Sequence, residues 1–425
     1  MTLTLLLLAI VLLLLVRVPV AAALLLPCFG YILLADGITM GIALQKVASL
    51  LNSFALLAVP LFILVGFIAN AAGMADRMVH ALHAVFGGVR GSLGYVNVAG
   101  SLMFSWMSGS STADAAAMGS VMVPSMRKNG YPAGFAAGLT GAASMIGPVM
   151  PPSVGAVVYA VLSGSSVGGV LLAGVLPAVV LAAGLCLYVF LYTRKRPELV
   201  TEPLPRGQRL PAVAGALPVL AAPVILLGGI LGGVFTPTEA AGVAALYLIL
   251  LSVGARWLSW RGLYQALVGT ASTTGRVMFI AAAGGLFSYV LVREGAPAQA
   301  AEAILAITDS QVIFLLLMNL LLLVIGMVLE PASALLVTVP VILPIALEFG
   351  VDPLQLGVIM VLNLTIGLLT PPVGLVLYVL TSVGQLSFRD VVRGTSPLLI
   401  PLIFVLLTIT YIPELSTIIP ELAGL

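Results

Sequence analysis

The run Ser108–Ser120, "SGSSTADAAAMGS", places the hydroxyls of Ser110, Ser111 and Thr112 just ahead of a carboxylate, Asp114, with Gly109 leading them in. Hydroxyl and carboxylate oxygens are the ligands of small hard cations, and an acid in the first turn of a helix also suits the helix dipole. A second run, "GMVLEPASA" from Gly326, sets Glu330 before Pro331, a residue suited to the first turn of a helix. Two more runs, "MIGPVMPPS" (Met145–Ser153) and "TIGLLTPPV" (Thr365–Val373), carry Gly and paired Pro. Proline has no N–H to donate, so each run breaks a helix and frees carbonyl oxygens. Freed carbonyls and hydroxyls at half-helix ends offer oxygen to a cation, and half-helix N-termini favour an anion. Asp114 and Glu330 read either as caps that hold a chain reversal or as direct participants in ion binding.

The elements that position these residues must lie in a membrane. The chain has 425 residues, 61% hydrophobic and 8% charged, with a mean hydropathy of +1.23, which defines an all-α polytopic membrane protein. Apolar runs of roughly 17–25 residues recur along it, enough to cross a ~30 Å hydrocarbon core. The first run, residues 3–16, lacks a basic flank, continues through Arg17 into a second apolar run, and reads as a retained membrane segment, short for a full span. Cys28 and Cys186 each lie in an apolar run and read as small core residues. A net charge of +2 without a basic, aromatic-interleaved patch points to no nucleic acid. Arg276, close to a membrane run, reads as a side chain snorkelling to the cytoplasmic interface. His80 and His83 read as solvated interface residues, and Trp106, Trp257 and Trp260 as interfacial or tip-packing ones.

The densest polar segment, Thr193–Pro211, holds five basic residues, two glutamates and four prolines. It divides the chain into 1–193, a linker at 194–211 and 212–425, and its basic excess places it in the cytoplasm. The halves match at one offset of 220: Pro124 with Pro344, Gly130 with Gly350, Gly147 with Gly367, Pro151 with Pro371, Pro152 with Pro372. They read as copies of one unit. In the first copy, residues of about 92–128 are flanked by Arg77 and Arg90, then Arg127 and Lys128; in the second, about 311–349 are flanked by Glu302 and Asp309, then Glu348 and Asp352. By the positive-inside rule the two copies have inverted topology, with about 10–12 membrane spans in all.

A segment that enters and leaves on one side must reverse inside the membrane, where bare backbone is tolerated only against a protein cavity. The sequence therefore predicts two re-entrant helical hairpins, the first with its tip at about 107–112. Other classes fit poorly. An intramembrane protease needs a nucleophile beside a base or paired aspartates at depth, and "SGSS" has neither. Channels repeat by rotation about the membrane normal.

The runs "SGSSTADAAAMGSVMVPSMRKNGYPAGFAAGLTGAASMIGPVMPPS" and "GVIMVLNLTIGLLTPPVGLVLY" resemble the large membrane subunit of the tripartite ATP-independent periplasmic (TRAP) transporters, and the likeness extends over essentially the whole chain. The resemblance implies a transporter, not an enzyme: sodium-coupled uptake of an organic acid anion such as a dicarboxylate or sialic acid. It implies a small membrane subunit, separately encoded since none is fused here, a periplasmic substrate-binding protein, and a place in the bacterial or archaeal inner membrane among lipid. It also implies an elevator-type fold in which a transport domain slides against a scaffold. By resemblance, Ser110, Ser111, Asp114, Gly147 and Pro148 line one sodium site, and Glu330, Gly367 and Thr370 a second. Substrate would meet Ser110, Ser111, Thr112, Pro151, Pro152, Ser153, Pro371 and Pro372. A stand-alone sodium/dicarboxylate carrier of similar architecture is the alternative.

Overall fold

The structure, a computed structural model, describes residues 3–16, 18–34 and 39–425, so the reading of Arg17 lies outside the described residues. Every regular element among them is helical. The first half runs α1 (Leu3–Leu15), α2 (Val20–Leu34), α3 (Met40–Leu51), α4 (Ala58–Ala71), α5 (Met74–Phe86), α6 (Ser92–Ser108), α7 (Ser111–Lys128), α8 (Ala133–Ser144), α9 (Val154–Ser163), α10 (Val167–Ala173) and α11 (Val175–Thr193). The second runs α12 (Arg206–Leu231), α13 (Pro237–Gly254), α14 (Trp260–Arg293), α15 (Ala296–Leu305), α16 (Gln311–Gly326), α17 (Pro331–Glu348), α18 (Pro353–Gly367), α19 (Leu375–Gly384), α20 (Phe388–Thr395), α21 (Leu399–Tyr411) and α22 (Glu414–Leu422).

The sequence offset carries into the elements. Both ends of α7, at 111 and 128, fall 220 residues before those of α17, at 331 and 348. Each expected hairpin is present, as α6–α7 and α16–α17. Each expected broken helix is present too, as α8–α9 and α18–α19. Seven helices among the described residues are long and apolar enough to cross a membrane. The sequence suggests more spans because the crossings interrupted by Gly and Pro divide into halves of 10 to 15 residues, shorter than a bilayer.

The copies interlock. Arm α7 packs on α19 of the other half, and α17 packs on α9 in the same swapped manner. The closest union is α8 with α20, where "GFAAG" sets Gly134 and Gly138 four apart on one face. A Cβ on Gly394 of α20 would fall 1.9 Å from the Gly134 carbonyl oxygen, and one on Gly138 2.4 Å from that of Gly394. These backbones meet because no side chain intervenes, the usual way membrane helices gain packing where lipid supplies no hydrophobic drive. Polar pins fix each hairpin to its own broken helix. Asn97 Nδ2 of α6 donates to Thr140 Oγ1 of α8 at 2.7 Å, and Asn363 Nδ2 of α18 donates to Asn319 Oδ1 of α16 at 2.6 Å.

The linker is shorter than the sequence implies, because α12 begins at Arg206. It is also docked. Gly88 N and Gly91 N donate to the carbonyls of Thr201 and Leu199 at 3.0 and 2.7 Å, and the Ser92 and Thr201 hydroxyls lie 2.5 Å apart at the base of the first hairpin. Cys28 is buried, Cys186 is half-buried, and both are free. Trp257 receives the Arg77 guanidinium over its ring at 3.9 Å, while Trp260 stands 80% exposed at the start of α14.

Candidate functional site

The first tip is short, because Gly109 takes a left-handed φ of +57° and lets α6 turn straight into α7. The turn is pressed against the broken helix behind it: a Cβ at Gly109 would lie 2.6 Å from the Pro152 carbonyl oxygen. Gly147 in the same break stands in ordinary van der Waals contact with the tip, its own Cβ position 3.5 Å from Ser108 Oγ. Gly66 of α4 meets the tip from across, 3.1 Å from the Met107 carbonyl oxygen by the same measure. The α8–α9 break and α4 thus clamp residues 107–110.

Behind the tip lies Asp114, one turn into α7 and fully buried. Neither of its carboxylate oxygens finds a hydrogen-bond donor among the described residues, and the hydroxyls of Ser101 and Ser108 on α6 are buried and unpaired as well. The Ser101 hydroxyl lies close enough to interact with the carboxylate, without the geometry of a formed hydrogen bond. The Gly147 carbonyl receives no hydrogen bond among the described residues. An ionised carboxylate buried without a counter-ion costs several kcal/mol, so Asp114 calls for a cation or a proton. Carboxylate and hydroxyl oxygens suit a small hard cation, and among the described residues no cluster of three His, Cys, Asp or Glu side chains forms another kind of metal site.

The second tip is closed. Glu330 is the N-cap of α17, its carboxylate accepting from Ala332 N and Ser333 N at 3.1 and 3.4 Å. The Gly367 carbonyl accepts from Thr370 N at 2.9 Å, and Thr370 Oγ1 donates to the Ile366 carbonyl at 2.9 Å. A Cβ at Gly367 would fall 2.4 Å from Gly326, so the break packs backbone to backbone on its hairpin. The oxygens of Glu330, Gly367 and Thr370 are therefore engaged with their own helices, where those around Asp114 are open.

Both tips face one cavity of about 390 Å³. Residues 110–113, 330–332 and 154–155 line it, so the N-termini of α7, α17 and α9 converge on the same space. The amides at two of these ends are already capped: Glu330 serves α17, and Ser153 Oγ accepts from Ala156 N at 3.0 Å for α9. The third is open. The Ser110 side chain makes no cap and lies 3.0 Å from Thr112 Oγ1, which leaves the first amides of α7 facing the cavity without an acceptor. Such an end binds a carboxylate.

Of the residues expected to meet substrate, Ser110, Ser111 and Thr112 line the cavity. Pro151, Pro152 and Ser153 are buried behind the tip, and Ser153 Oγ also donates to the Pro148 carbonyl. Pro371 and Pro372 lie away from the cavity wall, on the second break. The sequence reading missed the far wall, Asn70 on α4 with Thr273 and Val277 on α14, for which lone polar residues gave no signal. It also missed Ser101. A signal was present there, since Asn97, Ser101, Ser105 and Ser108 recur at helical spacing along α6 and are all buried.

Paired hairpins and broken helices around one cavity are the arrangement of a membrane transport protein. The comparisons make this specific: residues 7–415 match the family of the tripartite ATP-independent periplasmic transporter DctM component, and the chain belongs to that family. It is 38% identical over 406 residues to the sialic acid TRAP transporter large permease protein SiaM of Vibrio cholerae, covering 95% of each chain. It is 37% identical to the C4-dicarboxylate TRAP transporter large permease protein DctM of Pseudomonas aeruginosa, covering 88% of this chain and 87% of that one. Among solved structures, the YdaH transporter of Alcanivorax borkumensis shares the fold, with a TM-score of 0.57, 17% identity and 89% of each chain covered.

Proposed function

We propose that this chain is the large subunit of a sodium-coupled importer of an organic acid anion in the bacterial inner membrane. A periplasmic binding protein delivers the substrate, and a small membrane subunit completes the assembly. One observation carries the reading: the unpaired, fully buried Asp114 sits directly behind the uncapped N-terminus of α7, which opens into the cavity. A cation held by Asp114, Ser101, Ser108 and the Gly147 carbonyl would neutralise the carboxylate and hold the tip against α8–α9. A substrate carboxylate would take the free amides of α7 and the hydroxyls of Ser110 and Thr112. Each ion then favours binding of the other, which is the linkage a symporter needs. The swapped packing of the hairpins supports their movement as one body, with the halves inverted in the membrane as the flanking charges imply.

The test is uptake into proteoliposomes with both partner proteins present, using radiolabelled succinate and N-acetylneuraminate. An inward sodium gradient should drive accumulation of at least one. Equal uptake with choline in place of sodium, under a proton gradient alone, would overturn the coupling.

A further inference from the structure

The cavity has a charge imbalance. Glu330 is the one ionisable side chain on its wall among the described residues, and it is acidic. An anion entering there meets helix N-termini but no cationic side chain on the wall.

The sequence reading sends Arg276 to the cytoplasmic interface, and the structure sets it on the helix that supplies Thr273 and Val277 to the cavity wall. Helix α14 is unbroken from Trp260 to Arg293. At 1.5 Å per residue, Arg276 sits about 24 Å from one end and about 26 Å from the other. At about 50 Å the helix is longer than a ~30 Å hydrocarbon core, and Arg276 stands at the start of its most apolar run, residues 277–292. Its one hydrogen bond among the described residues is long, 3.5 Å from Nη2 to Ser272 Oγ, and the side chain is exposed. Thr273 and Val277, three residues before it and one after, both line the cavity. Residues three apart on a helix have Cβ atoms about 5–6 Å apart, so a guanidinium on this turn reaches the cavity wall.

We infer that Arg276 is a specificity-determining residue that swings over Thr273 to pair with a carboxylate of the transported anion, across the cavity from the open end of α7. The inference rests on the proposed function. Arginine suits the task because its planar fork takes a carboxylate bidentately. A substrate bridged between α7 on the hairpin side and α14 on the opposite wall would be gripped from both sides.

The experiment uses the full chain in membrane vesicles, with Cys28 and Cys186 replaced and Thr273→Cys as reporter. Reaction rates are measured with a sulfonate-bearing and a trimethylammonium-bearing methanethiosulfonate. A unit charge about 6 Å away should favour the anionic reagent, and Arg276→Gln should lower the anionic-to-cationic rate ratio about tenfold. Arg276→Lys should restore it. Succinate or N-acetylneuraminate, with sodium, should protect the reporter, and the half-protecting concentration should rise about tenfold in Arg276→Gln. An unchanged rate ratio means that Arg276 faces lipid or another subunit, and the inference falls. Equal protection in wild type and Arg276→Gln also overturns it, while leaving the cavity a carboxylate site. If neither compound protects the wild type, the proposed function itself fails.

Discussion

Ser110 and Glu330 are the same position of the repeat, 220 residues apart, and both are the N-cap of a hairpin's second arm. Glu330 spends its carboxylate on the amides of α17, whereas the Ser110 hydroxyl turns to Thr112 and leaves the amides of α7 open. The acid of the first copy stands four residues further on, at Asp114, where the second copy has the buried Ala334. One tip is closed on itself, and the other holds donors and an acceptor that no protein group among the described residues engages.

Glu330→Ala removes two hydrogen bonds at a helix end and should cost about 1 kcal/mol, while Glu330→Gln keeps an acceptor and should cost only a few tenths. Thermal melting of the purified protein reads the difference. The half-saturating sodium concentration for uptake should move little in Glu330→Gln.

Gly394→Ala should lower the melting temperature sharply, because the new methyl would fall 1.9 Å from the Gly134 carbonyl oxygen and force α8 from α20. Gly215→Ala in α12, with nothing within 4 Å, should leave it unchanged or raise it, in line with the ~1 kcal/mol helix preference of Ala over Gly. Equal effects would mean that the contact between the halves carries no stability.

Most of the architecture was legible because Gly and Pro report backbone geometry directly. The matched Pro124–Pro344 and Gly147–Gly367 pairs fixed the repeat, and the charges flanking 92–128 and 311–349 marked both hairpins. The interlock of Gly134 with Gly394 was not legible, since it depends on which copy each helix packs against. The roles of the two acids were not legible either. A carboxylate one residue before a helix and one four residues later look alike as text, but the first reaches the free amides and the second points into the protein. The nearness of Arg276 to the cavity was not legible, because the sequence does not show which face of α14 meets the hairpin tips.

A cysteine placed at Glu348 should react with a membrane-impermeant thiol reagent from outside intact cells, and one placed at Lys128 should not. The two exposed positions are equivalent in the repeat, so labelling from the same side would contradict inversion of the copies.

His83 on α5 is held below the ordinary imidazole range, first by burial and then by the neighbouring His80. The folded chain therefore keeps it neutral at pH values where the unfolded chain, titrating near 6.5, already binds a proton. Stability should be flat at higher pH and should fall as the pH drops through about 6.5 toward the lower folded value. His83→Gln should flatten melting curves recorded between about pH 7.5 and 5.5.

The central claim is that Asp114 contributes to the affinity for the coupling cation, and Asp114→Asn tests it most directly. The change keeps the size and removes the charge; no helix cap is lost, because the Asp114 carboxylate caps nothing. The measurement is the half-saturating sodium concentration for uptake at matched expression. The account predicts a rise of about tenfold, equivalent to about 1.4 kcal/mol, with the maximal rate recovered at high sodium. An unchanged sodium dependence would contradict it.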